Sequence, residues 1–148
     1  MIVKELNADA LKLADDLVKD YGQYVMAEAL RKQQVIMPYG MASKFTANLA
    51  GKFQAHKIFE RRAIEEVMKK QNPALSKAAL DKAVDEVAKT YPSIILTDAK
   101  HTEISNALNA AWKKVGKENM TKEKLREIYK KVYEETPHWM DAIESYLR

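Results

Sequence analysis

Cysteine is missing from this chain of 148 residues, which excludes disulfides, thiolate metal sites and a cysteine nucleophile and leaves the redox compartment open. Glycine and proline are scarce, four of each, so few points interrupt regular structure. No run of about eighteen apolar residues occurs, so no membrane-spanning helix is expected. The same shortage argues against a pore-forming or membrane-disrupting protein. The opening Met1-Ile2-Val3-Lys4-Glu5-Leu6 is broken by polar and acidic residues before the apolar core of a signal peptide can form. Internal repeats and low-complexity segments are also lacking.

What is present suits one domain with a hydrophobic core: apolar residues make up 47% of the chain, and its length is near that of a typical domain. The 25 basic residues exceed the 21 acidic ones, for a net charge of +4 and a pI near 9.1. This excess favours an anionic partner only weakly, because both signs are interspersed along helix faces. Basic residues are densest over Lys52 to Arg62 and Lys113 to Lys131, as a groove for phosphates requires.

Apolar residues recur mostly at helical spacing, which predicts a mainly α, compact multi-helix domain. Asn7 is a good N-cap for a first helix carrying Leu11, Leu13, Ala14, Leu17 and Val18, and Gly22 breaks or kinks it before a second stretch. Pro38-Tyr39-Gly40 ends that pattern, and a short helix follows between Met41 and Gly51. Lys52 to Lys57 reads as extended and Ile58 to Lys70 as a helix with a charged outer face. Ser76 caps a helix over Lys77 to Thr90, and Tyr91-Pro92 closes it. Ser93-Ile94-Ile95-Leu96 reads as a strand or buried extended piece, giving a small β element near residues 52–57 and 93–96. Thr97 caps a helix from Asp98 to about Lys114, on which His101, Ser105, Leu108 and Trp112 share one side. Thr121 and Thr136-Pro137 open two further helices.

Two of the three histidines sit where a short apolar segment gives way to the charged start of a helix. Phe53-Gln54-Ala55-His56-Lys57-Ile58-Phe59-Glu60-Arg61-Arg62 gathers an imidazole, an ammonium, a carboxylate and two guanidiniums, and His101 follows downstream. Together these suggest a hydrolytic site acting on phosphate. Taken singly, each histidine is more simply a surface residue, and Glu60, Arg61 and Arg62 are equally well a solvated helix face. His138, in a first turn after Pro137, is expected to be exposed or locally packed and outside the site. Trp112, Trp139, Tyr129, Tyr133 and Tyr146 sit among aliphatics and are expected to be core rather than base-stacking platforms.

The stretch Ala55-His56-Lys57-Ile58-Phe59-Glu60-Arg61-Arg62, then Tyr91-Pro92-Ser93-Ile94-Ile95-Leu96-Thr97 leading to His101, Trp112, and Met120-Thr121-Lys122-Glu123 with Ile128-Tyr129 resembles the C-terminal toxin domains of bacterial polymorphic and contact-dependent systems. In those related to the HNH nucleases, a His-His dipeptide followed by Ile and Glu-x-Arg precedes a Leu-Thr-x-x-x-His helix. The resemblance covers roughly residues 50–147. It divides the chain into residues 1–50, a helical N-terminal part of the same domain or a toxin-specific linker, and residues 51–148, the nuclease core.

The resemblance implies an antibacterial nuclease acting on DNA or RNA, secreted or delivered into the target-cell cytoplasm as part of a larger toxin and neutralised by a cognate immunity protein, acidic to complement the basic charge. His56, Lys57, Glu60 and His101 would do the chemistry, and Arg61, Arg62, Lys52 and Lys100 would hold substrate. Lys57 departs from the pattern, since the second histidine of the pair would normally deprotonate water and a solvated lysine keeps its proton at neutral pH. Three mechanisms follow. In the first, His56 and His101 share acid and base work without metal while Lys57 stabilises developing charge, as suits RNA cleavage through the 2′-hydroxyl. In the second, His56, His101 and Glu60 hold one divalent ion, Mg²⁺, Mn²⁺ or Zn²⁺, with Arg62 on a phosphate. The third is a catalytically inactive toxin domain. The rival from another class is a non-enzymatic helical interaction module, phage or regulatory. Convergence of His56, Lys57, Glu60 and His101 on one cleft separates the enzyme from the module.

Overall fold

The computed structural model describes residues 5–148; Met1 to Lys4, four of the six residues read for a signal sequence, lie outside them. Eight α-helices and three short strands follow in the order α1 (Ala8–Tyr21), α2 (Gln23–Lys32), β1 (Ile36–Pro38), α3 (Tyr39–Thr46), β2 (Phe53–Lys57), α4 (Arg61–Gln71), α5 (Lys77–Ala88), β3 (Pro92–Thr97), α6 (Asp98–Val115), α7 (Lys122–Val132) and α8 (Pro137–Ile143). The protein is thus mainly α with a small antiparallel sheet, as the periodicity predicts. The caps explain several boundaries. Asn7 accepts from the amide of Ala10, Ser76 from Ala79, Thr97 from Lys100 and Thr121 from Lys124, each satisfying an amide that the first helical turn leaves open. Gly22, at φ +87°, lets the chain leave α1 and start α2 without a break in sequence.

The sheet order is β1-β3-β2, with both pairings antiparallel. Central β3 is buried on both faces and therefore reads as a continuous apolar run instead of an alternating one. Its side chains still alternate: Ile94 and Leu96 enter a core with Leu108, Trp112, Tyr129, Tyr133 and Trp139, while Ile95 enters a second core with Ala27, Met41, Phe45 and Phe53. The sheet thus separates α1–α3 from the α4–α8 layer. Since β1 is hydrogen-bonded to β3, the first fifty residues contribute a strand to the same sheet as the rest.

Three boundaries differ from expectation for identifiable reasons. Strand β1 is too short for alternation to show, and Pro38, expected to end a helical pattern, leads directly into α3. Helix α4 starts at Arg61 and not at Ile58, because the Ile58 amide bonds the Pro92 carbonyl at 3.0 Å and so prolongs the strand pairing. Helix α5 stops at Ala88, two residues before Thr90, whose own hydroxyl bonds back to Val87.

Candidate active site

Strand β2 lies at the sheet edge, and His56 and His101 meet there. Adjacent residues on a strand point to opposite faces. Phe53 and Ala55 face the α1–α3 layer, so His56 faces α6 and Lys57 returns to the side of Phe53. Lys57 Nζ lies 3.8 Å from the ring centroid of Tyr39 at the start of α3. Both still line a cleft of about 190 Å³ with Ala55, Glu60, Arg61, His101, Ser105 and Leu108. Ser105 and Leu108, one and two helical turns after His101, are cleft residues outside the predicted site set, and the spacing on α6 already places them on the His101 side.

His56 is only 4% exposed, and its ring centroid lies 5.7 Å from that of His101, edge to face. Its Nε2 is 2.9 Å from the Tyr133 hydroxyl, and that hydroxyl donates to the Ile58 carbonyl at 2.8 Å. A phenol has one proton. With it directed at a carbonyl, Tyr133 must accept from His56, so the imidazole carries its proton on Nε2 and keeps a lone pair on Nδ1. The strand itself is pinned by Ser93, buried in β3, whose hydroxyl donates to the His56 carbonyl at 2.8 Å.

Burial, then the neighbouring His101 and Lys57, lower the His56 pKa to about 3. The half-buried His101 is also lowered, mainly by burial and further by Lys57, against an opposing pull from Asp98. Both rings are therefore neutral at pH 7. The cleft is thus lined by two neutral imidazoles, with Lys57 on its wall.

Glu60 is on the wall of the cleft, but its carboxylate is engaged. Oε1 accepts from Trp112 Nε1 and from the Tyr129 hydroxyl, each at 3.0 Å. Oε2 accepts from Arg62 Nε at 3.0 Å and Nη2 at 2.7 Å, and the Arg62 guanidinium stacks over Trp112 at 4.6 Å. Burial and the Glu60 charge hold the Tyr129 phenol well above its ordinary pKa, and burial does the same for Tyr133. Glu60 and Arg62 thus tie α4 to α6 and α7 as a partly buried polar network whose members satisfy one another. Chain spacing gave no signal for it, since Trp112 and Tyr129 lie 52 and 69 residues from Glu60.

The remaining predicted residues divide. Arg61 lines the cleft and pairs with Asp85 at 2.9 Å, with Glu65 and Asp81 nearby. Lys52 points at the ring of Tyr24, 5.3 Å away, and Lys100 pairs with Glu103 at 3.3 Å and lines a different pocket. Neither shares the histidine cleft, because Lys52 precedes the strand and Lys100 leaves α6 on another side from His101. Trp112, Trp139, Tyr129 and Tyr133 are buried, and His138 is exposed, as expected.

Among the described residues no three His, Cys, Asp or Glu side chains converge as a ready metal-ligand set. Any ion here would take two protein ligands, His56 and His101, since the hydrogen bonds of Glu60 keep its carboxylate from serving as the third. Comparison with protein-family models, curated proteins and solved structures returned no match.

Proposed function

We propose that the protein hydrolyses nucleic-acid phosphodiesters at the His56–His101 cleft, as the nuclease domain of an antibacterial toxin held in check by an acidic immunity protein. The observation that carries this reading is the meeting of two neutral imidazoles, from strand β2 and from helix α6, with Lys57 lining the same open cleft. The sequence resemblance supplies the substrate class and the biological setting; the net charge of +4 agrees with a polyanion.

The surroundings of His56 favour a ligand-like role for it. An imidazole whose pKa is about 3 carries no second proton to donate at neutral pH, which weakens the mechanism in which both histidines trade protons. A neutral imidazole anchored through its other nitrogen is the usual state of a metal-binding histidine. A divalent ion held by His56 and His101 would lower the pKa of bound water and neutralise phosphate charge. Independently of any ion, the partly exposed His101 is the better-placed base, and Lys57 is placed to stabilise charge on a phosphate oxygen. A larger groove of about 650 Å³, lined by Tyr39, Lys82 and Lys89 with the carboxylates Asp85 and Glu86, shares Lys57 and Arg61 with the cleft and offers a path for the strand along its lysines.

A partner-binding reading has its own support. Leu13, Tyr21, Tyr24 and Val25 on α1 and α2 are 49–62% exposed, an apolar display that marks interaction surfaces. Incubating the purified protein with DNA, total RNA and tRNA, with EDTA or with added Mg²⁺, Mn²⁺ or Zn²⁺, tests the nuclease proposal. Cleavage that fails in His101→Gln supports it, and the EDTA arm decides metal dependence. Absence of cleavage under every condition would leave the interaction module or the inactive domain.

A further inference from the structure

A second pocket, of about 170 Å³, lies beside the first turn of α6, and its polar lining consists of Arg31, Gln34, Thr97, Lys100, Thr136 and Trp139. No carboxylate lines it. Trp139 is 3% exposed, and its Nε1–H is buried with no hydrogen-bond partner among the described residues. A buried donor without an acceptor costs about 1–3 kcal/mol, and the pocket that Trp139 lines, with donors and no carboxylate, is where an anionic acceptor would approach that indole. The other indole gives the contrast, since Trp112 Nε1 is satisfied by Glu60.

The rest of the pocket is arranged the same way. Arg31 uses Nε and Nη2 on Glu28, and a guanidinium has five N–H donors, so others remain free. Lys100 is held only by the exposed Glu103, an ion pair of the kind that contributes little. Thr97 caps α6, an 18-residue helix whose N-terminal end is positive. Asp98, the acidic residue of that turn, is turned toward β2, where it accepts from Gln54 at 3.2 Å. An oxyanion entering the pocket therefore meets the cations of α2 and α6, with the Trp139 indole of α8 in the wall.

The pocket is also next to the proposed active site. Trp139 lies between them, its indole centroid 5.8 Å from the ring of His56, and Lys100 precedes His101 on α6. We infer that this pocket is a phosphate subsite, which seats a phosphate of the nucleic-acid strand flanking the one presented to His101. The phosphate-binding part stands on the pocket alone; its assignment to the strand rests on the nuclease reading.

The two indole N–H resonances give a direct test in ¹⁵N-labelled protein, with Trp139→Phe assigning them. Inorganic phosphate and a short single-stranded oligonucleotide with uncleavable phosphorothioate links are each titrated against sodium chloride of matched ionic strength. The expected result is that both ligands move the Trp139 resonance, that Trp112 stays in place, and that Lys100→Met and Arg31→Met each weaken binding roughly tenfold, as loss of a charged hydrogen bond implies. If phosphate moves Trp139 and the oligonucleotide does not, the assignment to the strand is overturned. If neither moves it beyond the salt control, the subsite itself is overturned. Cleavage is scored separately, so a silent pocket in an active nuclease sinks this inference alone, and a phosphate-binding pocket in a protein that cleaves nothing sinks the nuclease reading.

Discussion

The hydroxyl of Tyr133 does two jobs: it fixes the proton of His56 and it satisfies the Ile58 carbonyl. Tyr133→Phe removes one oxygen and leaves the ring in place. His56 is 4% exposed and Ile58 fully buried, so water cannot easily replace the lost partner. Leaving a buried donor and a buried acceptor unpaired, at about 1–3 kcal/mol each, gives an expected destabilisation of about 2–6 kcal/mol. For a chain of this length that lowers Tm by about 5–20 °C. The imidazole also loses what dictates its tautomer. Long-range ¹⁵N–¹H spectra of wild type should show His56 protonated on Nε2, and those of Tyr133→Phe a mixture. Removing the group that orients such a histidine should reduce activity or ion affinity by roughly 10–100-fold. A double-mutant cycle with His56→Gln should return a coupling of about 1 kcal/mol or more. The reasoning is refuted if Tyr133→Phe melts within about 1 °C of wild type and keeps the Nε2 tautomer, because the hydroxyl would then be neither satisfying Ile58 nor orienting His56.

Three further outcomes are expected. The pKa of His56 falls from 6.5 to about 3 on folding, so the unfolded chain binds the extra proton first; the stability held above pH 6.5 should be lost as pH falls, by about 2 kcal/mol at pH 5, and equal acid limbs in urea titrations of wild type and His56→Gln would contradict this. Glu60→Ala strands the Tyr129 hydroxyl, Trp112 Nε1 and Arg62 and should cost on the order of 3 kcal/mol, whereas Glu60→Gln keeps an acceptor and should cost about half as much; denaturant midpoints in which both variants match wild type would show the network to be idle. Lys57→Met removes a cation resting on Tyr39 and should lower stability by only about 0.5–1 kcal/mol while cutting nucleic-acid cleavage by roughly 10²-fold, so a large loss of stability with intact cleavage would reverse the role assigned to Lys57.

Much of this arrangement is legible in the chain because it is written in local signals. The capping residues Asn7, Ser76, Thr97 and Thr121 sit where the helices begin, and the apolar run Ile94-Ile95-Leu96 marks the central strand. Once 52–57 is read as extended, alternation also requires His56 and Lys57 to leave on opposite faces. The pairing of β2 with β3 brings His56 to the helix that carries His101. What could not be read is tertiary: Tyr133 reaching back 77 residues to His56, Glu60 consumed by Trp112, Tyr129 and Arg62, and Lys100 turned into a donor-lined pocket away from the cleft. Residue type and spacing mark a carboxylate as a candidate; only its partners show whether its oxygens are free.

The most direct test of the central claim is the initial rate of cleavage of single-stranded RNA and DNA by wild type, His101→Gln and His56→Gln, each at a temperature where the folded fraction is shown to be equal. The account predicts cleavage by wild type and a fall of at least about 10²-fold in His101→Gln with its Tm preserved, as removal of a positioned base requires, with His56→Gln impaired alongside it. Cleavage at the wild-type rate in both variants, or none by the wild type on either substrate, would contradict the assignment of this cleft to phosphodiester hydrolysis.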